Sequence, residues 1–178
     1  LSRPAPPAPP ASPDAPVAFL CAEYAVHGSL PIYSGGLGVL AGDLLKEASD
    51  RALPLVAVGL LYRRGYFHQR LDPSGWQHEY WTVSTPERLP IERVEDGSGA
   101  PLVVEVPVRS AMVQAAVYRA DVGRVPLYLL DSDLPGNDPI DRFISSQLYV
   151  GERAYRLMQY VLLGLGAVRA LSALGIQP

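Results

Sequence analysis

Three short runs are apolar at every position or nearly so: Val17-Ala-Phe-Leu-Cys21, Leu55-Val-Ala-Val-Gly-Leu-Leu61 and Val125-Pro-Leu-Tyr-Leu-Leu-Asp131. A strand with one solvated face alternates polar and apolar residues, so runs without alternation are strands covered on both faces. Helical spacing recurs between them. Leu37, Leu40, Leu44, Leu45 and Ala48 predict a helix after the first run, with Asp43–Lys46 and Glu47–Arg51 as supporting pairs on its other face. Leu157, Val161, Leu165, Val168 and Leu171 predict a long final helix over about 152–174, stopped at Gly175. Leu102–Val108 and Met112–Ala120 read as a hairpin-like pair. Asp138-Pro139-Ile140-Asp141 carries the marks of a helix start: a capping Asp, Pro in the first turn, and an acid three residues on. The pattern predicts an α/β fold, a parallel sheet with an antiparallel excursion.

Residues 1–16, rich in Pro and Ala, predict an extended, disordered linker, and order is expected from Val17 to Pro178. The chain of 178 residues begins at Leu1 rather than Met and stops just past a helix, so it reads as a piece of a longer protein. With 15 basic and 18 acidic residues and no basic stripe, nucleic acid is not an expected partner. No apolar run approaches the roughly 20 residues of a bilayer span, so no membrane partner is expected either. One cysteine, Cys21, permits no internal disulfide; with no secretory signal, a cytoplasmic location is expected. His27, His68 and His78 are scattered and make no metal constellation with Cys21.

The sharpest chemical feature is Ser34-Gly-Gly-Leu-Gly-Val-Leu-Ala-Gly-Asp43, where glycines meet the start of the predicted helix. Unpaired N–H groups of a first helical turn face outward, and the helix dipole favours an anion there. A phosphate or a sugar oxygen is the expected guest of Gly35, Gly36, Leu37 and Gly38; a glycine turn that only packs helix on sheet is the other reading. A dinucleotide fingerprint is disfavoured, because about 13 residues separate Cys21 from Gly35. No Gly-Lys-Ser/Thr follows, which excludes a P-loop. Glu23, at the end of the first strand, is read as an acid bonded to loop N–H groups or as a ligand contact. Asp131 and Asp133 read as turn acids bonding their own backbone. Tyr62, Arg63, Tyr66, Phe67 and Gln69 resemble a sugar platform but also suit packing. Gly164 and Gly166 are expected to admit close helix–sheet contact.

The run from Ser29 to Gln77, with Ala22-Glu-Tyr24, Leu129–Arg142 and the ending GLGAVRALSALGIQP, closely resembles α-glucan (glycogen/maltodextrin) phosphorylases of the short bacterial and archaeal type. The resemblance extends from Val17 to Pro178. It implies a partial Rossmann-like amino-terminal domain of a two-domain GT-B glycosyltransferase. It also implies pyridoxal phosphate as cofactor and transfer of a terminal glucosyl unit from an α-1,4-glucan to inorganic phosphate. By resemblance the N–H groups near Gly35, Gly36 and Leu37 lie at the reacting centre, while Glu23, Tyr149 and Glu152 border it. No catalytic side chain falls in this chain, and the cofactor lysine is expected outside it, so the piece alone is expected to be inactive. A homo-oligomer is left open. The sequence departs from the family at Gly28 and Leu44, where Glu and His are usual, at Val150-Gly151-Glu152 in place of Gly-Gly-Asp, and at Tyr160, where Glu is usual. A glycogen or starch synthase shares a Gly-Gly-Leu-Gly loop but normally carries Lys two residues before the glycine pair, where this chain has Tyr33-Ser34. A non-catalytic glucan-binding module is the remaining alternative.

Overall fold

The computed structural model describes residues 11–149 and 151–178. Strand β1 (Val17–Leu20) leads through a loop into helix α1 (Gly36–Asp50) and back into β2 (Leu55–Leu60), which pairs parallel with β1. An outlying two-stranded ribbon follows, β3 (His68–Leu71) and β4 (Gln77–Tyr80). Next come β5 (Glu92–Arg93), β6 (Val103–Val108), β7 (Ala111–Val122) and β8 (Val125–Asp131), then the single turn α2 (Pro139–Arg142) and the long α3 (Arg153–Ala173). The main sheet runs β1-β2-β8-β7-β5, with β6 also on β7. β1, β2 and β8 are parallel, and β7 runs antiparallel to β8 and β6. Both α1 and α3 pack on β2 and β8. The consecutive buried residues of those strands require cover on both faces.

The α/β reading, the hairpin and the helix spans hold, but several expectations need correction. β1 is an edge strand, not a buried one: Val17 and Leu20 are exposed, because among the described residues it pairs on one side only. The buried faces match the predicted ones only in part: Leu45, Ala48 and Leu171 turn inward as expected, but the rest of each face is rotated. On α1 the residues turned inward are Gly38, Ala41, Gly42, Leu45, Ala48 and Ser49, while Leu37, Leu40 and Leu44 are exposed. On α3, Leu162, Leu163, Gly166, Ala167, Ala170 and Leu171 are buried, while Leu157, Leu165 and Val168 are exposed. Small residues let the helix axes approach the sheet closely, and that outranks side-chain hydrophobicity here. A Cβ on Gly166 would lie 2.7 Å from Leu130 Cδ1, whereas one on Gly164 would meet nothing, so only Gly166 serves close packing.

Asp138 occupies the cap position of α2 without a side-chain capping bond, and the buried Asp141 pairs with Arg109 instead. A buried carboxylate needs a counter-charge more than a four-residue helix needs a cap. Residues 1–10 lie outside the described residues. Within 11–16, where a disordered linker was expected, Ser12 and Ala15 exchange backbone bonds of 3.0 Å, and the Ser12 hydroxyl accepts from Ala15 N–H at 3.1 Å. Ser followed by Pro is suited to such a turn. Among the described residues no helix is long and apolar enough to cross a membrane.

Candidate functional site

The carboxyl ends of β1, β2 and β8 open on one edge of the sheet, which is where open α/β sheets bind ligands. Just past β1, the chain is held down by Tyr24. Its side chain is fully buried, and its hydroxyl lies 2.8 Å from Phe19 O and 3.1 Å from Val58 O. Burial drives its pKa far up, so it remains a neutral donor. Tyr24 N–H then donates to Ile32 O, and Ala25 N–H to Gly38 O at 2.8 Å, tying the loop to the first turn of α1.

Glu23 organises this loop. It is 2% exposed, and one carboxylate oxygen accepts from Ser34 N–H at 2.6 Å and Gly35 N–H at 3.3 Å. The other accepts from the Tyr149 hydroxyl at 2.7 Å. The bonds to the loop N–H groups are those expected of a loop-bonded acid. The N–H of Gly35 is therefore occupied by the chain's own carboxylate.

The glycines of the loop separate into two classes. A Cβ on Gly38 would lie 2.6 Å from Tyr33 Cβ and 3.1 Å from Glu23 Oε2. One on Gly42 would lie 2.7 Å from the Ala25 carbonyl carbon and overlap its oxygen. Packing alone explains those two. Gly35 and Gly36 differ: a Cβ on either would meet nothing within 4 Å, and neither has a left-handed φ. Both are exposed, as is Leu37. Gly36 and Leu37 open α1, so their N–H groups have no acceptor within the helix. The fold demands glycine at 38 and 42 but not at 35 and 36, where the surface is open in front of helix donors.

Tyr149 reaches Glu23 from the segment before α3, with φ of 56° and the Arg156 guanidinium 5.3 Å from its ring centre. Burial, with the Glu23 bond added, raises its pKa well above the usual tyrosine value. Glu152 is exposed at the cap of α3 and makes no side-chain capping bond, so the structure unites Glu23 and Tyr149 but not Glu152. Gly28 and Leu44 are exposed, and Tyr160 lines a narrow space with Tyr62 and Tyr149. His27 is exposed and bonds Ser29. Among the described residues no cluster of metal-ligating side chains occurs.

Asp131 accepts from Asp133 N–H at 2.9 Å, as a turn acid would, but it is also buried against Arg63 at 2.6 Å and Ser145 Oγ at 3.0 Å. Arg63 bridges on to Asp133 at 3.1 Å, and Asp133 to Arg142 at 2.6 Å. That takes Arg63 out of any sugar platform. Tyr62 is buried in the core, whereas Tyr66 is 57% exposed. No local signal could have paired Arg63 with an acid 68 residues away.

No family model matches the chain. It is 50% identical over 162 residues to the maltodextrin phosphorylase of Thermococcus litoralis, covering 91% of this chain and 20% of that protein. It is 48% identical over 158 residues to the glycogen phosphorylase of Mycobacterium tuberculosis, covering 88% of this chain and 18% of that one. Against the glycogen phosphorylase of Aquifex aeolicus the identity is 45% over 160 residues, covering 90% and 23%. The chain is a homologue of the α-glucan phosphorylases. It spans about a fifth of the length of these curated phosphorylases. In fold it matches the catalytic domain of starch synthase IV from Arabidopsis thaliana, solved with ADP and acarbose, at a TM-score of 0.59 and 16% identity over 92% of this chain and 26% of that one. At that identity the likeness concerns the fold alone, a partial Rossmann-like α/β domain. The phosphorylase homology rests on the sequence matches.

Proposed function

We propose that this chain forms the glycine-loop wall of an α-1,4-glucan phosphorylase active site, where a terminal glucosyl unit passes to inorganic phosphate. The protein that carries it works in the cytoplasm on glycogen or maltodextrin. The observation that carries the reading is the pair Gly35-Gly36: neither packing nor backbone conformation requires glycine there, and a ligand close to the loop does. Similarity to maltodextrin and glycogen phosphorylases supports this choice of reaction.

The loop's task is electrostatic. Gly36 and Leu37 N–H groups and the dipole of the 15-residue α1 offer fixed partial positive charge to an oxygen of the substrate phosphate or the glucosyl unit. Glu23 holds Ser34 and Gly35 in place, so these donors need no rearrangement when the guest arrives. Leu37 and Leu40, exposed beside the loop, present an apolar border that displaces water.

Pyridoxal phosphate, when bound, supplies a phosphate group as acid–base partner of the substrate phosphate. This chain does not fit the covalent part of that task. Its one lysine, Lys46, is half exposed and pairs with Asp43 at 3.9 Å, unlike the desolvated amine of a stable imine.

The test is direct. The protein carrying this chain is incubated with maltoheptaose and inorganic phosphate, and glucose 1-phosphate is measured. Its formation is expected; failure to form it, with glucosyl transfer from a nucleotide sugar instead, would overturn the reading in favour of a synthase.

A further inference from the structure

Beside the glycine loop, and separate from its N–H donors, lies a cavity of about 220 Å³ lined by Ser34, Gly65, Tyr66, Phe67, Trp81 and Gln147 among others. The Tyr66 and Phe67 rings lie 4.5 Å apart and the Phe67 and Trp81 rings 6.2 Å apart. None of the three belongs to the hydrophobic core or packs against it. Tyr66 is 57% exposed and Trp81 36% exposed. Aromatic side chains normally carry core and interface energetics, and an exposed group of them marks a binding surface. Here the backbone invests in the arrangement: Gly65 is pressed on Pro31, where a Cβ would lie 2.6 Å from the carbonyl oxygen. That close approach delivers Tyr66 and Phe67 to the cavity next to Ser34.

We infer that Tyr66, Phe67 and Trp81 form a subsite for one glucosyl unit of the α-1,4-glucan, next to the unit that reacts at the glycine loop; this rests on the phosphorylase reading. A pyranose ring has an apolar face of C–H groups and a rim of hydroxyls. The aromatic trio suits the first, and the Ser34 hydroxyl and Gln147 amide suit the second. The volume is below the roughly 300 Å³ at which pockets begin to enclose a whole ligand. It therefore takes one unit of a polymer that runs on past it. The absence of any Lys, Arg, Asp or Glu from its lining matches a neutral guest rather than phosphate.

The experiment uses the full protein carrying this chain, with Tyr66→Ala and Trp81→Ala as test variants and Trp76→Ala as control. Trp76 is 71% exposed and does not line the cavity. For both test variants kcat/KM for maltoheptaose is expected to fall about tenfold, equivalent to about 1.4 kcal/mol. KM for inorganic phosphate is expected to hold, and the control to match the parent. Independently of turnover, maltoheptaose is titrated against tryptophan fluorescence; the change is expected to vanish in Trp81→Phe and persist in Trp76→Phe. Phosphorolysis with unchanged maltoheptaose kinetics in both test variants overturns the subsite and leaves the phosphorylase reading standing. A change of oligomeric mass with unchanged maltoheptaose kinetics also overturns it, making the trio a protein contact. If the parent protein shows no phosphorolysis, that reading falls and the fluorescence titration alone decides the subsite.

Discussion

Replacing Gly36 should damage activity and spare the fold, while replacing Gly42 should do the reverse. At Gly36 the new Cβ meets nothing within 4 Å and φ is not left-handed, so neither a clash nor backbone strain arises. Helix propensity slightly favours the change, and Gly36→Val should alter stability by no more than about 0.5 kcal/mol. At Gly42 the Cβ would overlap the Ala25 carbonyl, which is backbone and cannot rotate away. The helix must move off the loop, straining the 2.8 Å bond from Ala25 N–H to Gly38 O. Overpacking of this kind costs about 1–3 kcal/mol. At about 2–4 °C per kcal/mol for a chain of this size, Gly42→Ala should lower Tm by roughly 2–12 °C, against about 2 °C or less for Gly36→Val. Activity inverts the order. A side chain on Gly36 stands in front of the Gly36 and Leu37 donors, and loss of one such donor costs on the order of 100- to 1000-fold in rate. Gly36→Asp should be worse than Gly36→Val, because its charge opposes a bound anion. Scanning calorimetry of this chain and phosphorolysis rates of the full protein carrying it, corrected for folded fraction, decide the matter. The anion-loop assignment is wrong if Gly36→Val loses as much Tm as Gly42→Ala, or if Gly36→Asp is the more active variant.

The same packing logic predicts opposite signs on α3: Gly164→Ala should stabilise by up to about 1 kcal/mol, and Gly166→Ala should destabilise by about 1–3 kcal/mol against Leu130, as read by chemical denaturation. Lys46→Ala should change stability by less than about 0.5 kcal/mol, since its pair with Asp43 is exposed. No imine absorbance should appear when this chain is mixed with pyridoxal phosphate, and a band that disappears in Lys46→Ala would contradict that. Asp72 has its carboxyl pKa lowered to about 2, by the Ser74 hydroxyl first and then by Trp76 N–H and His78. A depressed acid contributes stability above its unfolded pKa and loses it as pH falls through the folded one, so the Asp72 turn should loosen between about pH 4 and pH 2. In Ser74→Ala, an NMR titration should move the Asp72 midpoint upward.

The core strands and helix spans were legible because apolar runs and helical periods are local properties; the exposed strands β3, β4 and β5 carry no apolar run and gave no such signal. The helix faces were legible only in part: Leu45, Ala48 and Leu171 are buried as expected, while their predicted neighbours are not. Reading Leu37, Leu40 and Leu44 as the inner face follows hydrophobicity, but α1 is seated by Gly38, Ala41 and Gly42, whose smallness sets the helix–sheet distance. Leu157 and Val168 on α3 mislead in the same way beside Gly166 and Ala170. Around the loop, Glu23 was legible as an acid that loop N–H groups could satisfy, since both lie within a dozen residues. Its third partner was not: Tyr149 arrives from 126 residues away, and a tyrosine preceding a helix says nothing about which acid it will meet. The Arg63–Asp131 pair was hidden for the same reason, since its partners meet only when β2 and β8 align.

Glu23 also changes the thermodynamics of the loop it anchors. Ordering a backbone residue costs about 1–2 kcal/mol, and a glycine pair next to a serine is among the most expensive stretches to hold still. Because an internal carboxylate grips Ser34 and Gly35, that cost falls on folding and not on association. The guest proposed at Gly36 and Leu37 would then gain the full value of its contacts. A substitution at Glu23 would therefore weaken binding at a surface it never touches.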